Sequence, residues 1–359
     1  MSRALVIGGG IAGISAAARL APHLEVTLLE GEDSLAYHAS GRSAAMFLLN
    51  YGNAAIKALN AASADHHHHA DGGVLSPRGM MMVAGPDHAD AFRADSADLG
   101  LDAISMDEAA RLWPILNRET QAHAAYREDA QDLDTDLLIQ NFARSARAQG
   151  AQIVTSARVN RIERLGRGWR VTTEAGHIHE AELLVNAAGA WADTVSRMAG
   201  LRPLNIQPYR RSMARIALPQ GMSSVDWPFV DGVGESWYCK PDAGALIVSP
   251  ADEDPVAPQD AWADDMVLAE GLARYQEAVT QPVTRMLANW AGLRSFAPDR
   301  ALVIGPDPQD ATFLWCAGQG GYGFQTAPAA SQLLADLALG MTPALDAGTV
   351  SALSPSRFA

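Results

Sequence analysis

Residues 4–30, ALVIGGGIAGISAAARLAPHLEVTLLE, restrict what this chain can fold into more than any other stretch. A short apolar run breaks into Gly8-x-Gly10-x-x-Gly13, a helical pattern follows, and a second apolar run ends on Glu30. This order predicts strand, helix and parallel strand, the βαβ unit that holds a dinucleotide. Gly8 permits the tight turn after the strand and Gly10 lets backbone approach a pyrophosphate. Gly13 lets the helix lie close on the sheet, while the N–H groups of its first turn, Ile11 and Ala12, face the phosphates. Glu30, followed by Gly31, lies 22 residues past the first glycine. A carboxylate there accepts hydrogen bonds from a ribose diol and repels a 2′-phosphate, so an adenosine with a free ribose is expected rather than NADP.

A chain of 359 residues exceeds the usual size of one hydrophobic core, so two domains sharing a cleft are expected. With 48% hydrophobic and 19% charged residues it has the composition of a compact soluble enzyme. A net charge of −14 disfavours nucleic acid and anionic lipid as partners. Cys239 and Cys316 are too far apart in sequence for a redox pair or a zinc knuckle, which suits a reducing, cytoplasmic compartment. The N-terminal apolar run is interrupted by glycines and lacks a charged flank and a small-residue cleavage site, so it reads as a strand, not a signal peptide. No apolar run approaches the ~20 residues that span a bilayer. A peripheral contact at the inner membrane stays open.

Further along, Asn53 to His69 reads as an alanine-rich helix and Ser105 to Glu108 as a capping box before a helix to Trp113. Asp134 to Gln149 reads as another helix. Gln152 to Ala188 alternates apolar and polar residues across turns at Gly166-Arg167-Gly168 and Glu174-Ala175-Gly176, which predicts antiparallel strands. The section from Pro203 to Pro298 is rich in Pro and Trp and reads as a lid. The last third returns to strand, glycine loop and apolar helix, placing a second helix N-terminus at the nucleotide. His66 to His69 point to different faces of a helix and have no completing ligands, so no metal is expected and a solvated helix end is.

Several motifs, in order, resemble the D-amino-acid oxidase superfamily of FAD-dependent oxidoreductases: Gly8 to Gly13 with Glu30, GRSAAM at Gly41, LVNAAGAWAD at Leu184, WAGLRSF at Trp290 and GQGGYGFQT at Gly318. Within it, LSPR at Leu75, QPYRRS at Gln207, KPDAG at Lys240 and the terminal LSPSR look most like bacterial D-arginine dehydrogenases. The resemblance implies an α/β chain with a Rossmann-like FAD-binding domain assembled from residues 1–74, 134–201 and 296–359. It also implies an α+β substrate domain with an antiparallel or mixed sheet from residues 75–133 and 202–295. It implies non-covalent FAD, because the cysteine that carries flavin in related sarcosine oxidases is replaced here by Leu293 and Arg294. The loop of Arg42, Ser43, Ala44 and Ala45 would touch pyrophosphate and flavin, Val159 would meet adenine through its backbone, and Ala188 and Gly189 would line the nucleotide. Gly320, Gly321, Tyr322, Gly323, Phe324, Gln325 and Thr326 would bring backbone N–H groups to the flavin, where a helix N-terminus stabilises negative charge.

Oxidising an amino acid requires a fixed carboxylate, an aimed Cα–H and a neutral amine. Arginine suits the first task, because its planar fork binds carboxylate bidentately and stays charged. The family's two arginines carry over to Arg211 and Arg294, with Arg210 read as a surface residue. Its hydroxyl partners carry over to Tyr238 and Tyr51, and Gly321 would offer its carbonyl to the amine. No general base is visible, and none is needed if the amine arrives deprotonated. The departures bear on substrate. Arginine-preferring relatives have a histidine after GRSAA and a glutamate after LSPR that receives the guanidinium, where this chain has Met46 and Met80. Met46, Phe47, Leu48, Met80, Met82 and Phe229 would form an apolar, deformable pocket, which predicts apolar or aromatic D-amino acids over D-arginine and D-lysine. A glycine or sarcosine-type amine oxidase and a non-catalytic electron-transfer subunit are the competing readings. Oxygen and a respiratory quinone both stay open as electron acceptor.

Overall fold

The computed structural model describes residues 2–359, and two large sheets organise it. The first runs in the order Val303–Pro306, Phe313–Ala317, Leu183–Asn186, Arg3–Ile7, Glu25–Leu29 and Gln152–Val154. All its pairings are parallel except that between the two C-terminal strands. Its strands come from three separated stretches of chain, so the nucleotide fold is discontinuous, as the returning glycine loop predicted. The helix Ile11–Leu20 contacts both Thr135–Ala148 and the terminal helix Gly323–Leu339. Alanines 16, 17 and 18 on its buried face allow this close approach.

The predicted helices form at their expected caps. Asn53 Oδ1 accepts from Ile56 N at 3.1 Å to start Ala54–His69, Ser105 Oγ from Glu108 N at 3.2 Å to start Met106–Leu112, and Asp134 Oδ1 from Leu137 N at 2.8 Å to start Thr135–Ala148. The alternating stretch folds as the antiparallel strands Val159–Leu165, Gly168–Thr173 and Ile178–Ala181. The terminal helix contains Pro328, which removes a backbone donor and displaces the preceding turn. Helix Ala54–His69 fills the break. Ser63 Oγ donates to Thr326 O at 3.3 Å and accepts from Ala329 N at 3.1 Å, and the His67 ring contacts Gln325 O at 3.0 Å. The histidine run is therefore not a solvated end throughout, contrary to the sequence reading. His67 is fully buried and His66 stacks on Phe142 at 5.3 Å, while His68 and His69 are exposed. Among the described residues no cluster could hold a metal ion.

The second sheet has nine strands and is mostly antiparallel, with one parallel pairing between Phe229–Gly232 and Met80–Ala84. Residues paired across neighbouring strands share a face. The registers Tyr209 with Arg294, Asp231 with Tyr238, Phe229 with Met80 and Asp231 with Met82 thus put these side chains on one face, together with Arg211 and Met213. No helix of the described residues is long and apolar enough to cross a membrane.

Candidate active site

A cavity of about 1440 Å³ runs from the first glycine turn to that shared face of the second sheet. At its nucleotide end the backbone leaves no room for side chains. Gly8 has φ +108°, and a Cβ there would lie 2.4 Å from Ala187 O. A Cβ on Gly13 would lie 1.9 Å from Gly8 O, so this glycine acts by close packing and does not itself line the cavity. Gly10, Ile11 and Ala12 do line it, with Ile11 N donating to Ser40 Oγ at 3.0 Å. Glu30 is buried and accepts from Gly9 N at 2.5 Å and Glu32 N at 2.8 Å. Two backbone donors thus hold the carboxylate at the cavity wall, and a carboxylate can accept about four hydrogen bonds, so acceptor capacity remains for a ribose. Gly31, Val159, Ala188 and Gly189 line the same end.

The Arg42 to Ala45 loop also borders the cavity, but the Arg42 guanidinium is engaged elsewhere. It donates to Asp260 Oδ1 at 2.6 Å and to the carbonyls of Ala261 at 3.0 Å and Ala291 at 2.9 Å. Arg42 thereby pins the loop to the chain around it, leaving Ser43, Ala44 and Ala45 to face the cavity. The second glycine loop is similarly selective. Gly320 N donates to Ser295 O at 2.9 Å, tying the loop to strand Met286–Phe296, and Tyr322 N donates to Gln319 O at 2.8 Å within the loop's own turn. Thr326 is buried and bonds Tyr322 O through Oγ1 at 2.8 Å, outside the cavity lining. The expectation that every residue from 320 to 326 offers an N–H is thus too broad. Gly323 and Phe324 begin the terminal helix, so their N–H groups lack helical partners. Gln325 Nε2 is buried without a partner while its Oε1 accepts from Leu48 N at 3.2 Å. A side-chain-free cradle at one helix N-terminus, a carboxylate at the strand end and an orphaned amide at a second helix N-terminus fit FAD.

At the far end two arginines, Arg211 and Arg294, line the cavity. Arg211 is 4% exposed, donates through Nε to Asp252 O at 2.9 Å and lies 6.0 Å from the Tyr238 ring centroid. Its neighbour Arg210 points away and pairs with Asp254 at 2.7 Å, as the alternation of a strand requires. Arg294 lies against Gly321, where a Cβ would be 3.2 Å from the guanidinium carbon. Among the described residues no carboxylate lies within ion-pair distance of Arg294. Burial alone would lower its pKa, but the phenols of Tyr51 and Tyr238, then Glu235 and Tyr322, hold it above the ordinary value. Burial pushes Tyr51 up to about 12, with Arg294 opposing, and its ring meets Tyr322 edge-on at 5.1 Å. Tyr238 donates through its hydroxyl to Met213 Sδ at 3.3 Å and stacks on Phe229 at 5.3 Å.

Met46, Leu48, Met80, Met82 and Phe229 line this end, whereas Phe47 is buried behind it. The pocket is not purely apolar, and this corrects the sequence reading. Asp231 lines it on the same face as Phe229, with Glu235, Asp95 and Asp98 nearer the opening. In FVDG the aspartate reads as the start of a turn, and only its alternation with Phe229 could have placed it beside the pocket.

Comparison with known proteins agrees with this architecture. The family described as FAD dependent oxidoreductase (DAO) matches residues 3–337. Glycine oxidase of Bacillus licheniformis is 25% identical over 94% of this chain and 92% of its own. Human mitochondrial dimethylglycine dehydrogenase is 24% identical over 99% of this chain, which spans only 44% of that protein. The crystal structure of L-proline dehydrogenase from P. horikoshii superposes with a TM-score of 0.84 at 22% identity, covering 99% of this chain and 97% of that one.

Proposed function

The chain belongs to the DAO family of FAD-dependent oxidoreductases, and on that footing we propose that it oxidatively deaminates a D-amino acid, giving an imino acid that water hydrolyses to a 2-oxo acid and ammonia. Bound FAD supplies the acceptor for the hydride leaving Cα. Residues 1–74, 134–201 and 296–359 would hold that cofactor and 75–133 with 202–295 the substrate.

The observation that carries the reading is Arg294. A guanidinium at a cavity wall, kept charged and given no carboxylate by the protein, is set to receive one from a ligand. Arg211 is anchored through Nε and has only the exposed Glu235, 4.0 Å from one terminal nitrogen, as a carboxylate neighbour, so its fork can turn to the same substrate carboxylate. Gly321, beside Arg294, would take the amine on its carbonyl, and the phenols of Tyr51 and Tyr238 would complete the carboxylate's shell. Losing one charge-assisted bond costs about 1.5–3 kcal/mol, or roughly 10- to 150-fold. Replacing Arg294 by Met is expected to lower kcat/KM by at least that range with FAD retained; unchanged kinetics would remove the carboxylate role.

A second reading, oxidation of glycine or an N-methylated glycine, is favoured by the names of two relatives, a glycine oxidase and a dimethylglycine dehydrogenase. The same arginines would serve it. Steady-state rates on D-amino acids against glycine and sarcosine separate the two.

A further inference from the structure

Asp231 is a buried carboxyl group on the cavity wall that the proposed chemistry leaves without a task. It is 8% exposed, lines the cavity, and its Oδ1 has no hydrogen-bond partner. Buried polar atoms in folded proteins are nearly always satisfied, so an orphaned carboxylate oxygen at a cavity wall points to a donor that the ligand brings. The protein gives it no basic partner, and a cationic ligand would favour its ionised form. Among the described residues no arginine, lysine or histidine lies within ion-pair distance of Asp231, and the carboxylate nearest Arg211 is Glu235 at 4.0 Å. Burial first, then Glu235 and Asp95, hold its carboxyl well above the usual range, with Arg211 and Arg294 pulling the other way.

Its position is defined by register. Asp231 sits between Tyr238 on one neighbouring strand and Met82 on the other, two residues after Phe229 on the same face. From the strand of Arg211 the sheet order passes Ala245–Ser249 and Tyr238–Asp242 before reaching Phe229–Gly232. Three steps of about 4.8 Å separate these backbones by roughly 14 Å. The arginine side chain spans part of that distance, and a ligand with a carboxylate at one end and a cation at the other spans the rest. Leu48, Met80, Met82 and Phe229 offer apolar contact to the methylenes between.

We propose that Asp231 is a cation-accepting subsite, receiving the ω-ammonium or guanidinium of a basic amino acid whose carboxylate lies on Arg211 and Arg294. The placement of that carboxylate rests on the function proposed above. The exposed Glu235, with Asp95, gives the opening a negative field that draws such a substrate in, while Asp98 is paired with Lys57 at 3.0 Å. The preference this creates is opposite to the apolar one read from Met46 and Met80.

The test is calorimetric binding of 6-aminohexanoate and hexanoate to the FAD-loaded protein, two probes without an oxidisable α-amine. Wild type is expected to bind 6-aminohexanoate at least about tenfold more tightly, the worth of one charge-assisted contact. In Asp231→Asn the two affinities should converge, and Asp231→Glu should keep them apart. Equal binding by wild type, or a preference that survives Asp231→Asn, overturns the subsite. If Asp231→Asn fails to load flavin, the wild-type pair and Asp231→Glu decide. Turnover of lysine against norleucine, in both configurations, is scored separately. A protein that prefers 6-aminohexanoate yet oxidises no amino acid keeps the subsite and loses the proposed function.

Discussion

Adjacent arginines on one strand divide their work by the pleat. Arg210 faces Asp252, Asp254 and Asp264, whereas Arg211 faces the cavity. Replacing Arg294 by Lys keeps the charge and loses the planar fork, so kcat/KM should fall about tenfold or more, chiefly through KM. Tyr51, with its phenol pushed up to about 12, stays protonated across the working range. A raised value favours the folded state below the ordinary 10.0 and is lost as pH rises through the folded one, so Tyr51 itself does not titrate near neutrality. With Tyr51 silent there, kcat/KM should climb toward alkaline pH as the substrate amine deprotonates. That rise should persist in Tyr51→Phe at a lower absolute rate, as a pH–rate profile would read. The arginines and tyrosines were legible because they stand in motifs. Asp231 was not, because which face a strand residue occupies depends on pairing that one sequence does not display.

Elements fix where these residues stand. The turn after the first strand works only with glycine at position 8, where φ is +108° and Ala187 O lies 2.4 Å from any added Cβ. Gly8→Ala is expected to lower FAD retention and stability together, measured by bound flavin and Tm. Pro328 opens the terminal helix, and Ser63 and His67 close it from the neighbouring helix. Burial lowers His67 to about 4 from 6.5. A depressed value stabilises the fold above the unfolded pKa and is lost as pH falls through the folded one. The protein should thus lose on the order of a few kcal/mol between pH 6.5 and 4. His66, lowered in the same direction by burial and Arg19, adds to the slope. In His67→Gln the fall of Tm over that interval should be shallower; an identical slope would acquit His67. Helix boundaries were readable from their caps, yet the burial of His67 was hidden because the partner helix lies far along the chain.

The whole molecule joins a discontinuous, mostly parallel sheet, with two helix N-termini at the cavity, to a mixed sheet that presents one face to the same cavity. The parallel sheet could be anticipated, since glycine fingerprints mark strand ends. The breadth of the second sheet could not, because its strands lie in short runs whose partners are distant. The claim that unites both halves is that an amino acid reduces the bound flavin. Exposing the FAD-loaded protein, without oxygen, to D- and L-amino acids, glycine and sarcosine tests it directly. Loss of the yellow colour is expected with D-amino acids, basic ones fastest, and at least about tenfold more slowly in Arg294→Met at equal concentration. Colour that persists with every compound, while dithionite still bleaches it, would mean that no amino acid reduces this flavin.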